Sequence, residues 1–171
     1  MRDVYEKKLD FSKAIIFSKI IYNPVFPQKF VAMLIGGLVD YNINKVEEKY
    51  RWKNTCAVRM SYIINYSGMK IPAVAGKTVT GADGNNYFFR ILDLYNFLKD
   101  NLGTPKAYKG ASLSALDLKN KKGIILFIVS NWVDARGHIT LFDGETCYDK
   151  CYFHDPLSNR IVDYVYFWEL E

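Results

Sequence analysis

Cys56, His138 and Asp149 supply a thiol, an imidazole and a carboxylate, the three groups from which a nucleophile, its base and the base's orienting partner can be built. Cys56 follows Asn54-Thr55, which suit the start of a helix, and Ala57, Met60, Ile63 and Ile64 then recur at helical spacing. A cysteine in a first helical turn faces unpaired backbone N–H groups and the positive end of the helix dipole. Both favour thiolate over thiol, and the same N–H groups can hold the oxyanion of a tetrahedral intermediate. Taken by position alone, Cys56 reads first as a small buried hydrophobe. Asn54 reads as a helix cap or as a contributor to the oxyanion site.

Only two histidines are available as the base. His138 follows Gly137 at the start of an alternating strand whose one face also carries Thr140 and Phe142. His154 precedes Asp155-Pro156, a turn signal, and is placed at the periphery. Asp143-Gly144 is a hairpin signal. A two-residue turn centred there sets Asp149 directly across from His138, with Cβ atoms roughly 5 Å apart.

Cys147 and Cys151 flank Asp149 symmetrically. In a straight strand their Cα atoms would lie roughly 13 Å apart, so a disulfide would require the chain to turn and lift Asp149 out of the ladder. The rival use is zinc. Cys147, Cys151 and His154 form C-x3-C-x2-H with Cys56 as a fourth ligand, but the second pair of a structural zinc motif is missing. Arg59 and Ser61 share the helix of Cys56, and Arg59 has two uses: pairing with an acid in the sheet or meeting a substrate carboxylate.

These groups need a frame. Residues 11–22 predict a helix that stops before Pro24, and a second helix runs from Pro27 to about Val39. The polar stretch 40–51 leads to the Cys56 helix, which Gly68 ends. Residues 70–86, rich in Gly, Pro and Asn, read as a long loop or short irregular hairpin. Residues 87–101 predict a helix with Ile91, Leu94, Tyr95 and Leu98 on one face. GIILFIVS (123–130), GHITLFD (137–143) and IVDYVYFW (161–168) read as strands. Helices first and strands afterwards point to an α+β fold with an antiparallel sheet. With no repeat, low-complexity tract or long linker, residues 1–171 read as one domain.

Half of the 171 residues are hydrophobic and 24% are charged, which excludes a disordered chain. The net charge of +5 favours an anionic polymer or an acidic partner. Residues 1–10 are charged and lack the apolar core of a secretory signal. The apolar run 30–39 is half the roughly 20 residues a membrane span needs, so no membrane insertion is expected.

The segments NTCAVRMSY (Asn54–Tyr62) and GHITLFDGETCYDKCYF (Gly137–Phe153) together resemble the type VI secretion amidase effectors of family 4. The resemblance implies a papain-like, NlpC/P60-like fold with an N-terminal helical part on an antiparallel sheet, forming one cysteine amidase domain. It implies Cys56 as nucleophile, His138 as base and Asp149 as orienting carboxylate, framed by a Cys147–Cys151 disulfide, with no cofactor and no metal. It implies a bacterial toxin that hydrolyses the γ-D-glutamyl–meso-diaminopimelate bond of peptidoglycan stem peptides. Such a toxin is made in the cytoplasm without a signal peptide, delivered by a type VI component into the periplasm of a Gram-negative target, and blocked by a cognate immunity protein in its cleft. No nucleic-acid partner is implied. Three alternatives remain: a housekeeping NlpC/P60-type wall hydrolase, a papain-fold acyltransferase, and a zinc-stabilised binding module without catalysis.

Overall fold

The computed structural model describes residues 9–171; of the charged opening segment, residues 1–8 lie outside that range. Helix α1 (Phe11–Ile21) begins where the Asp10 carboxylate accepts the Ser12 and Lys13 N–H groups, and it ends ahead of Pro24. The helix expected from Pro27 to Val39 is broken. α2 (Pro27–Ile35) stops at Gly36, whose φ of 65° and ψ of −157° suit glycine alone. α3 (Gly37–Asp40) then runs into a π-helical turn at Tyr41–Lys45. The break admits a neighbouring segment, whose Ala82 N–H donates to the Ile35 carbonyl at 2.9 Å.

α4 (Cys56–Tyr66) starts within the expected Asn54-Thr55-Cys56 signal and is buried from Cys56 through Asn65. α1 packs on it, as does the hairpin of β1 (Thr78–Thr80) and β2 (Asn86–Phe88). An all-round buried helix must satisfy its polar side chains internally. The Ser61 hydroxyl donates to the Ala57 carbonyl and accepts the Phe88 N–H at 3.0 Å. Asn65 donates to the Asn86 carbonyl and accepts the Ile71 N–H. Ser61 therefore ties the helix to the hairpin.

α5 (Ile91–Leu102) starts four residues later than the periodicity predicts. Tyr87 and Phe88 are buried in β2, where pairing with β1 and a bond from the Tyr87 hydroxyl to Asp83 override helical propensity. The expected order of helices before strands is correspondingly imperfect, because this hairpin lies between α4 and α5.

The main sheet is antiparallel, in the order β3 (Lys106–Lys109), β6 (Val162–Glu169), β4 (Gly123–Val129), β5 (Gly137–Phe142). The α+β class is as expected. β3 is an addition: its KAYK sequence has no apolar run, because it is a largely exposed edge strand. Ile124, Leu126, Ile139, Leu141 and Trp168 join the core that includes the helices. The alternate residues Ile125, Phe127, Phe142 and Phe167 build a smaller core with Leu118 and Cys147. Among the described residues, no helix is long and apolar enough to cross a membrane.

Candidate active site

β5 is paired on one side only, so its free edge offers backbone N–H groups to whatever packs there. α4 packs against it. The Cys56 sulfur lies beside the His138 imidazole and the Ile139 N–H, both of which favour its charged form. At the other end of the ring, His138 Nε2 lies 2.9 Å from Asp149 Oδ2, which leaves Nδ1 to the sulfur. This contact has ion-pair distance without linear N–H alignment. The Tyr152 ring packs edge-on against the imidazole at 5.0 Å, and Trp132 backs Tyr152 at 4.8 Å. Gly137, just before His138, has no room for a Cβ, which would drive into the Phe127 carbonyl oxygen.

Asp149 arrives by a different register from the one a turn at Asp143-Gly144 predicts. Phe142 bridges to Cys147, and the Asp143 N–H donates to the Thr146 carbonyl, so the turn is centred one residue later. The cause is local: the Asp143 carboxylate accepts the Glu145 and Thr146 N–H groups and bends its own turn. The register shifts by two residues and brings Asp149 across from Thr140 in place of His138. Oδ1 accepts the Thr140 hydroxyl and the Lys150 N–H, while Oδ2 reaches His138, two residues back on the same strand face.

Cys147 and Cys151 form a disulfide with Cα atoms 5.3 Å apart, and the chain turns between them with Asp149 at the centre. That bridge uses the two sulfurs the zinc alternative requires. His154 is exposed. Cys56 is the free cysteine, and the Asn54 side-chain oxygen accepts its backbone N–H at 3.0 Å.

Arg59 meets the acid and not the solvent. Its Nη2 donates to Asp149 Oδ2 at 3.0 Å, Nη1 to Thr55 Oγ1 at 3.1 Å and Nε to the Tyr148 hydroxyl at 3.4 Å. The guanidinium also lies over the Tyr22 ring. Pairing with an acid is one of the two uses the sequence allows Arg59, but which acid, the Thr55 and Tyr148 contacts and the donation from Thr140 escape sequence reading, since they depend on a loop conformation that only the folded chain fixes.

Charge is arranged accordingly. Burial pushes the Cys56 thiol up, but the hydrogen bond and charge of His138, with Arg59, outweigh it and leave the thiol below its ordinary range. Burial pulls the His138 imidazole down, but Asp149 and Cys56 raise it to about 9. Burial likewise pushes the Asp149 carboxyl up, while His138, Thr140 and Arg59 bring it down to about 2. The arrangement favours thiolate beside imidazolium beside carboxylate, a form suited to nucleophilic attack at a carbonyl.

A cleft of about 730 Å³ opens over Cys56. Trp52 and Phe89, stacked at 5.0 Å, form one wall. Lys49, Arg51, Lys53, Arg90 and Arg136 line it against only two acids, Asp93 and Asp134.

The profile of the family described as type VI secretion system (T6SS), amidase effector protein 4, matches residues 52–168. Among solved structures, the type VI effector–immunity complex Tae4–Tai4 from Enterobacter cloacae contains a chain 34% identical to this one, covering 96% of this chain and 99% of that one at a TM-score of 0.82. The Tae4–Tai4 complex from Salmonella Typhimurium contains one 30% identical, at 96% and 99% coverage and a TM-score of 0.81. The effector Tae4 from Enterobacter cloacae on its own is 34% identical, at 96% and 98% coverage and a TM-score of 0.79. No curated protein matches the chain.

Proposed function

The chain belongs to the amidase effector 4 family of type VI secretion systems, and from that premise we propose that it is a one-domain cysteine amidase cutting the γ-D-glutamyl–meso-diaminopimelate bond of peptidoglycan stem peptides in the periplasm of a competitor. The observation that carries this reading is the continuous contact of Cys56, His138 and Asp149 beneath a cleft whose walls are aromatic and predominantly basic. Stem peptides are rich in carboxylates, and a cationic cleft raises the local concentration of such a substrate.

The Cys56 thiolate attacks the γ-carbonyl carbon of D-glutamate, forming a C–S bond and an oxyanion. N–H groups of the first turn of α4 hold that charge, with Asn54 fixing the turn. The oxyanion collapses, the C–N bond breaks, and His138 gives its proton to the departing diaminopimelate nitrogen. His138 then takes a proton from water as that water attacks the thioester, releasing the glutamate carboxyl and restoring the thiolate. Asp149 keeps the ring aligned and stabilises its charged form.

The related effectors crystallise with an immunity protein, which supports a cognate inhibitor for this chain; we infer that it acts by covering the cleft over Cys56. The deciding experiment is digestion of purified muropeptides, read by mass spectrometry. Wild type should release fragments cut between glutamate and diaminopimelate, and Cys56→Ala should release none while melting as a folded protein. Cleavage by Cys56→Ala would refute the nucleophile, and wild-type cleavage at another bond would refute the specificity.

A further inference from the structure

Arg59 lies one helical turn beyond Cys56, and its side chain is only 7% exposed. A long cationic side chain ordinarily carries its charge out to water. Burying it costs several kcal/mol unless it is paired and hydrogen-bonded. Here the guanidinium is engaged on every side: by Thr55 at the cap of its own helix, by Tyr148 and Asp149 on the disulfide loop, and by the Tyr22 ring beyond α1. It joins the element that carries the nucleophile to the loop that carries the carboxylate.

The charge count gives this link a further use. A thiolate, an imidazolium and a carboxylate together carry one net negative charge in a site that excludes most water. One guanidinium brings the sum to zero. We propose that Arg59 is a positioning residue of the relay: it locks the Asp149 carboxylate against the nucleophile helix and completes a neutral buried quartet with Cys56, His138 and Asp149. This rests on the relay proposed above.

The groups facing the quartet are Cys56 from α4, His138 from β5, Tyr148 and Asp149 from the loop, Tyr152 beside the imidazole, and Tyr22. Arg59 is the cation among them that does not change charge. Removing it leaves both thiol and imidazolium holding their protons more tightly, so both titrations move to higher pH.

The test needs no substrate, because Cys56 is the one cysteine outside the disulfide. Iodoacetamide alkylation of Cys56 is followed against pH in wild type, Arg59→Met and Arg59→Lys. The Met variant should shift the profile upward by about one pH unit, alkylating about tenfold more slowly on the acid limb. The Lys variant, which keeps the charge, should restore most of it. On muropeptide, Arg59→Met should lower kcat with little change in KM, and should cost far less in an Asp149→Asn background. A wild-type profile in Arg59→Met, a Lys variant shifted as far as Met, or equal losses in both backgrounds would overturn the proposal. If Arg59→Met does not fold, Arg59→Lys decides: an unmoved profile with reduced kcat supports the role, and a profile moved by a full unit overturns it. If no form cleaves muropeptide, the function assignment falls and the alkylation series still decides Arg59.

Discussion

The Thr140 hydroxyl donates to Asp149 on the oxygen that His138 does not touch. Asp149 is thereby gripped at both oxygens, and its rotation is prevented without engaging the face turned to the imidazole. Thr140→Val keeps the shape and removes the donor, while the Lys150 N–H still serves Oδ1. The expected loss is about 1 kcal/mol of stability and, as the carboxylate loosens, several-fold in kcat at constant KM. Steady-state kinetics with a thermal melt check it, and an unaltered kcat would show that Thr140 does not matter to alignment.

The Cys147–Cys151 bridge closes a very short loop, so its chain-entropy contribution is only about 2 kcal/mol. Its larger effect is on where Asp149 points. Incubation with reductant, or Cys147→Ser with Cys151→Ser, should lower kcat well beyond what the small drop in melting temperature accounts for. Equal rates before and after reduction would leave the bridge a stabiliser alone.

The pH profile should be bell-shaped. As pH rises through the depressed thiol titration, Cys56 loses its proton and the thiolate–imidazolium pair forms. As pH rises further through about 9, His138 loses its proton and activity falls. Stability follows His138 and Asp149 with opposite signs. The His138 contribution is complete below its ordinary 6.5 and lost as pH rises through about 9. The Asp149 contribution is complete above its ordinary 3.8 and lost as pH falls through about 2. Rates measured from pH 4 to 11 check the first; melting temperatures over the same range check the His138 half of the second.

Arg136 is exposed at the cleft mouth and makes no ion pair among the described residues. Arg136→Ala should raise KM for a carboxylate-bearing muropeptide about fivefold with kcat unchanged, and the difference should shrink in high salt. A muropeptide whose carboxyls are amidated should show no such difference. An equal rise in KM for both substrates would mean that Arg136 shapes the cleft sterically.

Much of this architecture is legible in the residues. Asn54-Thr55-Cys56 marks the start of α4 to within a residue, because the Asn54 side chain, which accepts the Cys56 N–H, and apolar periodicity agree there. GIILFIV announces a strand buried on both faces. The exceptions have local causes. Gly36 and Gly37 look like a tolerable pair near a helix end, yet a passing backbone segment requires the break. Tyr87 and Phe88 continue a helical pattern but are claimed by a hairpin partner. Asp143-Gly144 signals a turn correctly and its centre incorrectly, because the Asp143 side chain takes up two N–H groups. Arg59 and Asp149 are 90 residues apart, so no local pattern records their pairing.

α4 is enclosed by packed side chains from its first residue to its tenth. Segments hemmed in so completely come apart only when the whole molecule does. The Cys56 sulfur thus sits on a segment that holds until global melting, whereas His138 and Asp149 reach it from an edge strand and a cross-linked loop, so local loosening there separates the three groups while α4 stays intact.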